Sequence, residues 1–118
     1  KESVERAIRR VAEKDATALS EIQLEFIGPA AIALIVLAIT DNRNRTISDL
    51  KKLAGLFSAR MVERGSVLWM FQKTGALYTP LTPMPVTDDS QREKLLSLLE
   101  AFDEHEDVQS VVTNAQLS

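Results

Sequence analysis

The chain contains no cysteine, one histidine, one tryptophan and only 5% aromatic residues. Without cysteine, disulfides and thiolate chemistry are excluded, which suits a reducing compartment. His105 has no second histidine or cysteine to join it, so no metal site is expected and it reads as a surface residue among acids. The four glycines stand apart, so there is no glycine-rich phosphate loop. The longest apolar run, Ala30 to Ile39, is too short to cross a bilayer, and no membrane partner is expected. There is no excess of positive charge either: the formal net charge is −3, which argues against a free-standing nucleic-acid binder.

Catalytic arrangements are missing as well. No nucleophile lies at useful spacing from a base, and no pair of acids sits in an apolar setting. A hydrolase of acyl phosphates on a ferredoxin-like scaffold would want an arginine in a glycine-bounded loop after its first strand. Here that loop has arginine but no glycine. The chain reads as a non-enzyme with no catalytic residues, no cofactor and no small-molecule substrate.

What is present suits one ordinary globular domain. The 118 residues are 45% apolar and 26% charged. The charges are unevenly spread. Lys1 to Lys14 holds Lys1, Arg6, Arg9, Arg10 and Lys14, while Arg43 to Arg64 holds Arg43, Arg45, Lys51, Lys52, Arg60 and Arg64. Asp88 to Asp107 carries eight acids against Arg92 and Lys94. A partner bearing phosphates would meet the first half of the chain.

Val4, Ile8 and Val11 form a helical stripe opposite Arg6, Arg9 and Arg10, with Ser3 as N-cap and a linker from Asp15 to Ser20. In "EIQLEFI", Ile22, Leu24 and Phe26 alternate with Gln23 and Glu25, the pattern of a half-exposed strand. After Gly28-Pro29, Ala30 to Thr40 reads as a strand covered on both faces. The next helix places Ile47, Leu50, Leu53, Ala54, Phe57 and Met61 on one face, with Thr46 and Asp49 as an approximate capping box. Gly55 within it costs roughly 1 kcal/mol relative to alanine, so packing or a bend must justify it. "GSVLWMFQK" reads as another strand, with Val67, Trp69 and Phe71 in the core. Leu77 to Val86 is extended but confined by three prolines to an edge or irregular path. Ser90 and Glu93 suggest a second capping box, opening a helix striped by Leu95, Leu98, Leu99 and Phe102, and Val108 to Thr113 is the last strand. The class is α+β: a ferredoxin-like split β-α-β antiparallel sheet with two helices on one face, plus an N-terminal helix and an extra strand.

The polar knot "TDNRNRT" joins the buried strand to the first of these helices. Turn and cap chemistry accounts for Asp41, Asn42 and Thr46. It does not account for Arg43 and Arg45 on either side of Asn44, because a helix N-terminus disfavours local cations. Two guanidinium groups beside exposed backbone N–H groups make a phosphate site, and a structural and a contact role weigh equally on these grounds. Lys51, Lys52, Arg60 and Arg64 extend the positive charge, although a lysine run on a helix is usually a solvated face. Tyr78 beside the prolines is the aromatic expected to be reachable.

With "TDNRNRT", "GSVLWMFQKTG" and "EDVQSVVTN" in hand, the chain resembles the YebC-like family. That family comprises bacterial and organellar proteins described as transcriptional regulators and, in mitochondria, as translational activators of cytochrome oxidase synthesis. "KESVERAIRR" is similar to the close of the family's N-terminal helical domain. Measured against that pattern, residues 1–20 are a remnant of this domain and linker. Residues 21–118 form a single ferredoxin-like domain without the family's inserted third domain, and "GPAA" replaces the usual glycine pair at Gly28 to Ala31. The resemblance implies a non-enzymatic translational regulator or activator that associates with the ribosome or ribosomal RNA, and the chain's divergence from the family pattern sets the expected location in the mitochondrial matrix. Asn42, Arg43, Asn44, Arg45, Lys51, Lys52, Arg60 and Arg64 would make the contacts, with Arg6, Arg9 and Arg10 as a secondary basic surface. The alternatives are a DNA-binding transcriptional regulator, with the bacterial cytoplasm as its setting, and a regulatory module holding a small ligand beside Asn42.

Overall fold

The structure, a computed structural model, describes residues 19–75 and 77–116. The N-terminal stripe, with Arg6, Arg9 and Arg10, lies outside the described residues. β1 (Ser20–Ile27) and β2 (Ala33–Thr40) form an antiparallel hairpin in continuous register, from Ser20 opposite Thr40 to Ile27 opposite Ala33. β3 (Arg60–Val62) pairs antiparallel with the free edge of β1, and β7 (Val108–Thr113) with that of β2. The sheet order is therefore β3-β1-β2-β7. β2 and β3 are both antiparallel to β1, hence parallel to each other, with α1 (Arg43–Leu56) crossing between them. This is one split β-α-β unit, and the strand expected to be extra is its central member.

α1 and α2 (Asp89–Glu104) cover the same face. Leu24 and Phe26, Leu34 and Val36, and Val108 and Val111 point to that face and meet Leu50, Ala54, Leu95, Leu98 and Phe102. Phe26 and Phe102 set their rings 5.0 Å apart at 44°, a favourable tilted arrangement. Full burial of each such side chain stabilises by roughly 1.5–3 kcal/mol. The opposite face presents Ile27, Ala33, Ile35, Leu37 and Val112 to Val67, Phe71 and Tyr78. β2 is thus packed on both sides, which is why its sequence does not alternate.

The second layer differs from the expectation in its details. "GSVLWMFQK" is not one strand: Leu68–Met70 is a 3-10 turn, and only β4 (Phe71–Thr74) is extended. β4 pairs with β5 (Leu77–Pro80) in a separate hairpin. The reason is that the amides of Gly65 and Val67 donate to the Glu25 carboxylate at 2.7 and 2.8 Å rather than to a neighbouring strand. Glu25, expected on a solvent face, is 2% exposed. Trp69, expected in the core, is 69% exposed and donates its indole N–H to the Ser66 carbonyl, whereas Val67 and Phe71 are buried as expected. Short β6 (Met84–Pro85) and β8 (Ala115–Gln116) pair in parallel, so the proline-rich segment follows an irregular path.

Both helix caps also differ. Asn42 caps α1 by accepting from the Arg45 N–H, and Asp88 caps α2 by accepting from the Gln91 N–H. Each helix therefore begins earlier than the capping-box pattern suggests. In the β1–β2 connection a Cβ on Gly28 would lie 2.9 Å from Leu34 Cδ1. A side chain here would force the buried Leu34 methyl to shift, which favours the glycine. Ala30 and Ala31 hold φ of 61° and 60°, at a cost of about 1–2 kcal/mol each in a region that favours glycine. Gly55 has neither excuse: nothing lies within 4 Å of the Cβ it would carry, and its φ is not positive. Gly55→Ala is expected to stabilise the protein by about 0.5–1 kcal/mol, read as a raised urea midpoint with unchanged slope.

Candidate functional site

The polar knot folds into two parts with opposite orientation. Its inner part begins at Thr40, whose Oγ1 accepts the Asn42 N–H at 2.9 Å. The Thr46 hydroxyl donates to Asp107 Oδ2 at 2.7 Å and lies 2.7 Å from Thr40 Oγ1, so the Thr40 hydroxyl can donate to it in turn. Thr40, Thr46 and Asp107 are all buried. Arg45 Nη2 reaches Asp107 Oδ2 and Asp41 Oδ1, each at 3.3 Å. The hydrogen bond to Asp107 is the main reason its guanidinium pKa is held above the usual value, with Asp41 adding to it. Arg45, expected to face a partner, instead joins the start of α1 to the turn before β7. Sequence reasoning missed Asp107, because it stood in an acidic run that looked solvated.

His105 belongs to the same junction and is not a surface residue. Its Nδ1 accepts the Asp107 N–H at 3.2 Å, so the proton sits on Nε2, which donates to Asp49 Oδ2 at 3.0 Å. The acidic turn is thereby tied to α1 at two points. "TDNRNRT" and "EDVQ", two of the stretches that carry the family resemblance, are spatial neighbours.

The outer part of the knot is exposed and carries Arg43 and Asn44. Arg43 lines a cleft of about 560 Å³ on the sheet face opposite the helices, where the β4–β5 hairpin leaves the ends of β1 and β2 open. Leu37 and Ile39 contribute apolar lining, and Gln23 and Gln109 line it too. Arg64, from the turn held by Glu25, and Lys73, from β4, complete a set of three cations opposed by one acid, Glu21. Tyr78 lines the cleft too, with the Lys73 ammonium 5.6 Å from its ring centroid, a cation–π geometry.

Of the basic residues singled out from sequence, Arg43 and Arg64 thus come together across 21 positions of chain. Lys51 and Lys52 are exposed on α1 and Arg60 is exposed on edge strand β3, but none of the three lines the cleft. Asn42 has its side-chain oxygen committed to the cap. Lys73 was missed, because nothing in the sequence joins a hairpin lysine to a helix start; the cross-strand pairing of Lys73 with Tyr78 is what places it.

A family model described as "TACO1/YebC second and third domain" matches residues 19–79, about half of the chain and all of the segment from β1 to the hairpin. The chain belongs to the TACO1/YebC family. Among curated TACO1/YebC relatives, a "Probable transcriptional regulatory protein" of Chlorobium chlorochromatii is 39% identical over 108 residues, covering 90% of this chain and 42% of that one. One of the same name from Kosmotoga olearia is 30% identical over 114 residues, covering 96% and 45%. The chain therefore spans less than half the length of these relatives. Its fold matches a crystal structure of the conserved hypothetical protein Aq1575 from Aquifex aeolicus, with a TM-score of 0.82 at 20% identity over 98% of this chain and 72% of that one. Among the described residues no helix is long and apolar enough to cross a membrane.

Proposed function

We propose that this domain is a non-catalytic binding module of a TACO1/YebC translational regulator, and that its cleft engages phosphates of single-stranded RNA, with ribosomal RNA as the natural partner. The observation that carries this reading is the convergence of Arg43, Arg64 and Lys73 on one concave surface that Tyr78, Gln23 and Gln109 also line. Fork-shaped guanidinium groups suit phosphate oxygens, and a single strand fits a cleft that a rigid duplex would bridge. Exposed Asn44, Lys51, Lys52 and Arg60 supply outlying contacts, while Arg45 acts only by holding the loop. A net charge of −3 favours a local site over broad electrostatic capture. The relatives described above are bacterial, which supports a bacterial cytoplasmic setting and gives no support to a mitochondrial one.

Duplex DNA is the rival partner, because those relatives are named as transcriptional regulators. Fluorescence anisotropy of the chain with a short single-stranded RNA and with duplex DNA, across a salt series, separates the two. The expected result is preference for RNA, with Arg43→Ala/Arg64→Ala/Lys73→Ala weakening binding at least about tenfold and reducing the salt slope by about 2. Co-sedimentation with ribosomes should weaken in parallel. Sequence-specific duplex binding at physiological salt, untouched by the triple substitution, would overturn the reading.

A further inference from the structure

We propose that the cleft also reads one unstacked base of the bound strand, through the side-chain amide of Gln109. This rests on the RNA reading above and names what lies between the phosphate contacts. The β2–β7 register passes from Leu37 opposite Ser110 to Ala38 opposite Val108, so Gln109 is the extra residue of a β-bulge. Bulges re-aim side chains, and this one brings Gln109 to the cleft that Arg43, Arg64, Lys73 and Tyr78 line. The Gln109 amide nitrogen is buried and has no acceptor among the described residues. A buried N–H donor left without an acceptor is rare in folded proteins. Gln109 is also among the residues that line a cleft large enough for a small ligand, where a side-chain rotation would present this donor.

The chemistry of the neighbours selects the ligand. Gln23 Oε1 has a single long contact, 3.5 Å from the Tyr78 hydroxyl, so it retains capacity to accept a hydrogen bond. The Gln109 amide requires an acceptor. A nucleobase edge offers a donor and an acceptor side by side, whereas a phosphate group offers acceptors alone. Leu37 and Ile39 provide an apolar lining for a flat ring, and Tyr78 adds a π-face already electrostatically paired with Lys73. Phosphate-binding cations around a base-sized recess with an unpartnered amide describe a site for one nucleotide within a single strand.

The test compares an intact single-stranded RNA with the same strand carrying abasic riboses throughout, titrated against the chain and against Gln109→Leu. Wild type is expected to prefer the intact strand by about tenfold. Gln109→Leu should lose most of that preference while keeping the salt slope and the thermal midpoint. Should Gln109→Leu fail to fold, Gln109→Met keeps the length of the side chain and serves in its place. Equal binding of intact and abasic strands by wild type, with the salt slope retained, overturns base reading and leaves phosphate binding standing. Absence of binding to either strand removes both proposals together.

Discussion

Replacing Glu25 by alanine is expected to lower the unfolding free energy by about 3 kcal/mol. The carboxylate is 2% exposed and accepts the Gly65 and Val67 amides at 2.7 and 2.8 Å. Hydrogen bonds to a charged acceptor each contribute roughly 1.5–3 kcal/mol, and truncation leaves the donors unmatched beside a cavity. Part of the loss is recovered because Gly65 is exposed and water can reach its N–H. Against a total stability of about 5–15 kcal/mol the effect is large. It reaches the candidate site as well, since this turn carries Arg64 to the cleft. Glu25→Gln keeps one acceptor oxygen and should lose about half as much. Urea denaturation measures both; a loss below about 1 kcal/mol for the alanine variant would show that the buried carboxylate does not organise the turn.

Asp107→Ala is expected to cost about 2–4 kcal/mol, because a buried charge is removed from donors that remain in place. The Thr46 hydroxyl loses its 2.7 Å acceptor, and Arg45 keeps only the partner Asp41 of its two 3.3 Å contacts. Arg45→Ala should lose less, since its side chain is 49% exposed and water replaces part of the contact. A double-mutant cycle between Thr46→Val and Asp107→Ala isolates the buried bond and should return a coupling of about 1 kcal/mol or more. Additivity of the two substitutions would show that the bond carries no net stability.

The sequence exposes some parts of this molecule far better than others, for physical reasons. Strong periodicity made β1 and the stripes Leu50–Ala54 and Leu95–Leu98–Phe102 legible, and an unbroken apolar run did the same for β2, because those residues must face the core whatever else happens. β3, at three residues, is too short to show any period, and Met61 fitted the preceding helical stripe equally well. Glu25 and Trp69 illustrate the converse failure. Alternation assigns a residue to a face but not a cover to that face, so a carboxylate beneath a distant turn looked solvated and an indole on a bent segment looked buried. The caps were misplaced because Asn42 and Thr46, like Asp88 and Ser90, are all competent cap types, and only the backbone distinguishes them. At the candidate site, Arg43 and Arg64 were legible from charge. The partnership of Arg45 with Asp107 and the arrival of Lys73 depend on contacts 62 positions apart and on hairpin register. Tertiary structure alone supplies those.

Arg43 and Arg45 are two positions apart, yet the fold places them differently: Arg43 lines the cleft proposed to take RNA, whereas Arg45 pairs with Asp41 and Asp107. Parallel measurement of RNA affinity and thermal stability for Arg43→Ala and Arg45→Ala tests this directly. Arg43→Ala should weaken RNA binding severalfold with an unchanged midpoint, and Arg45→Ala should lower the midpoint while RNA affinity at temperatures where it is folded stays close to wild type. If instead both variants lose affinity equally with no loss of stability, the division of labour between the two arginines is wrong.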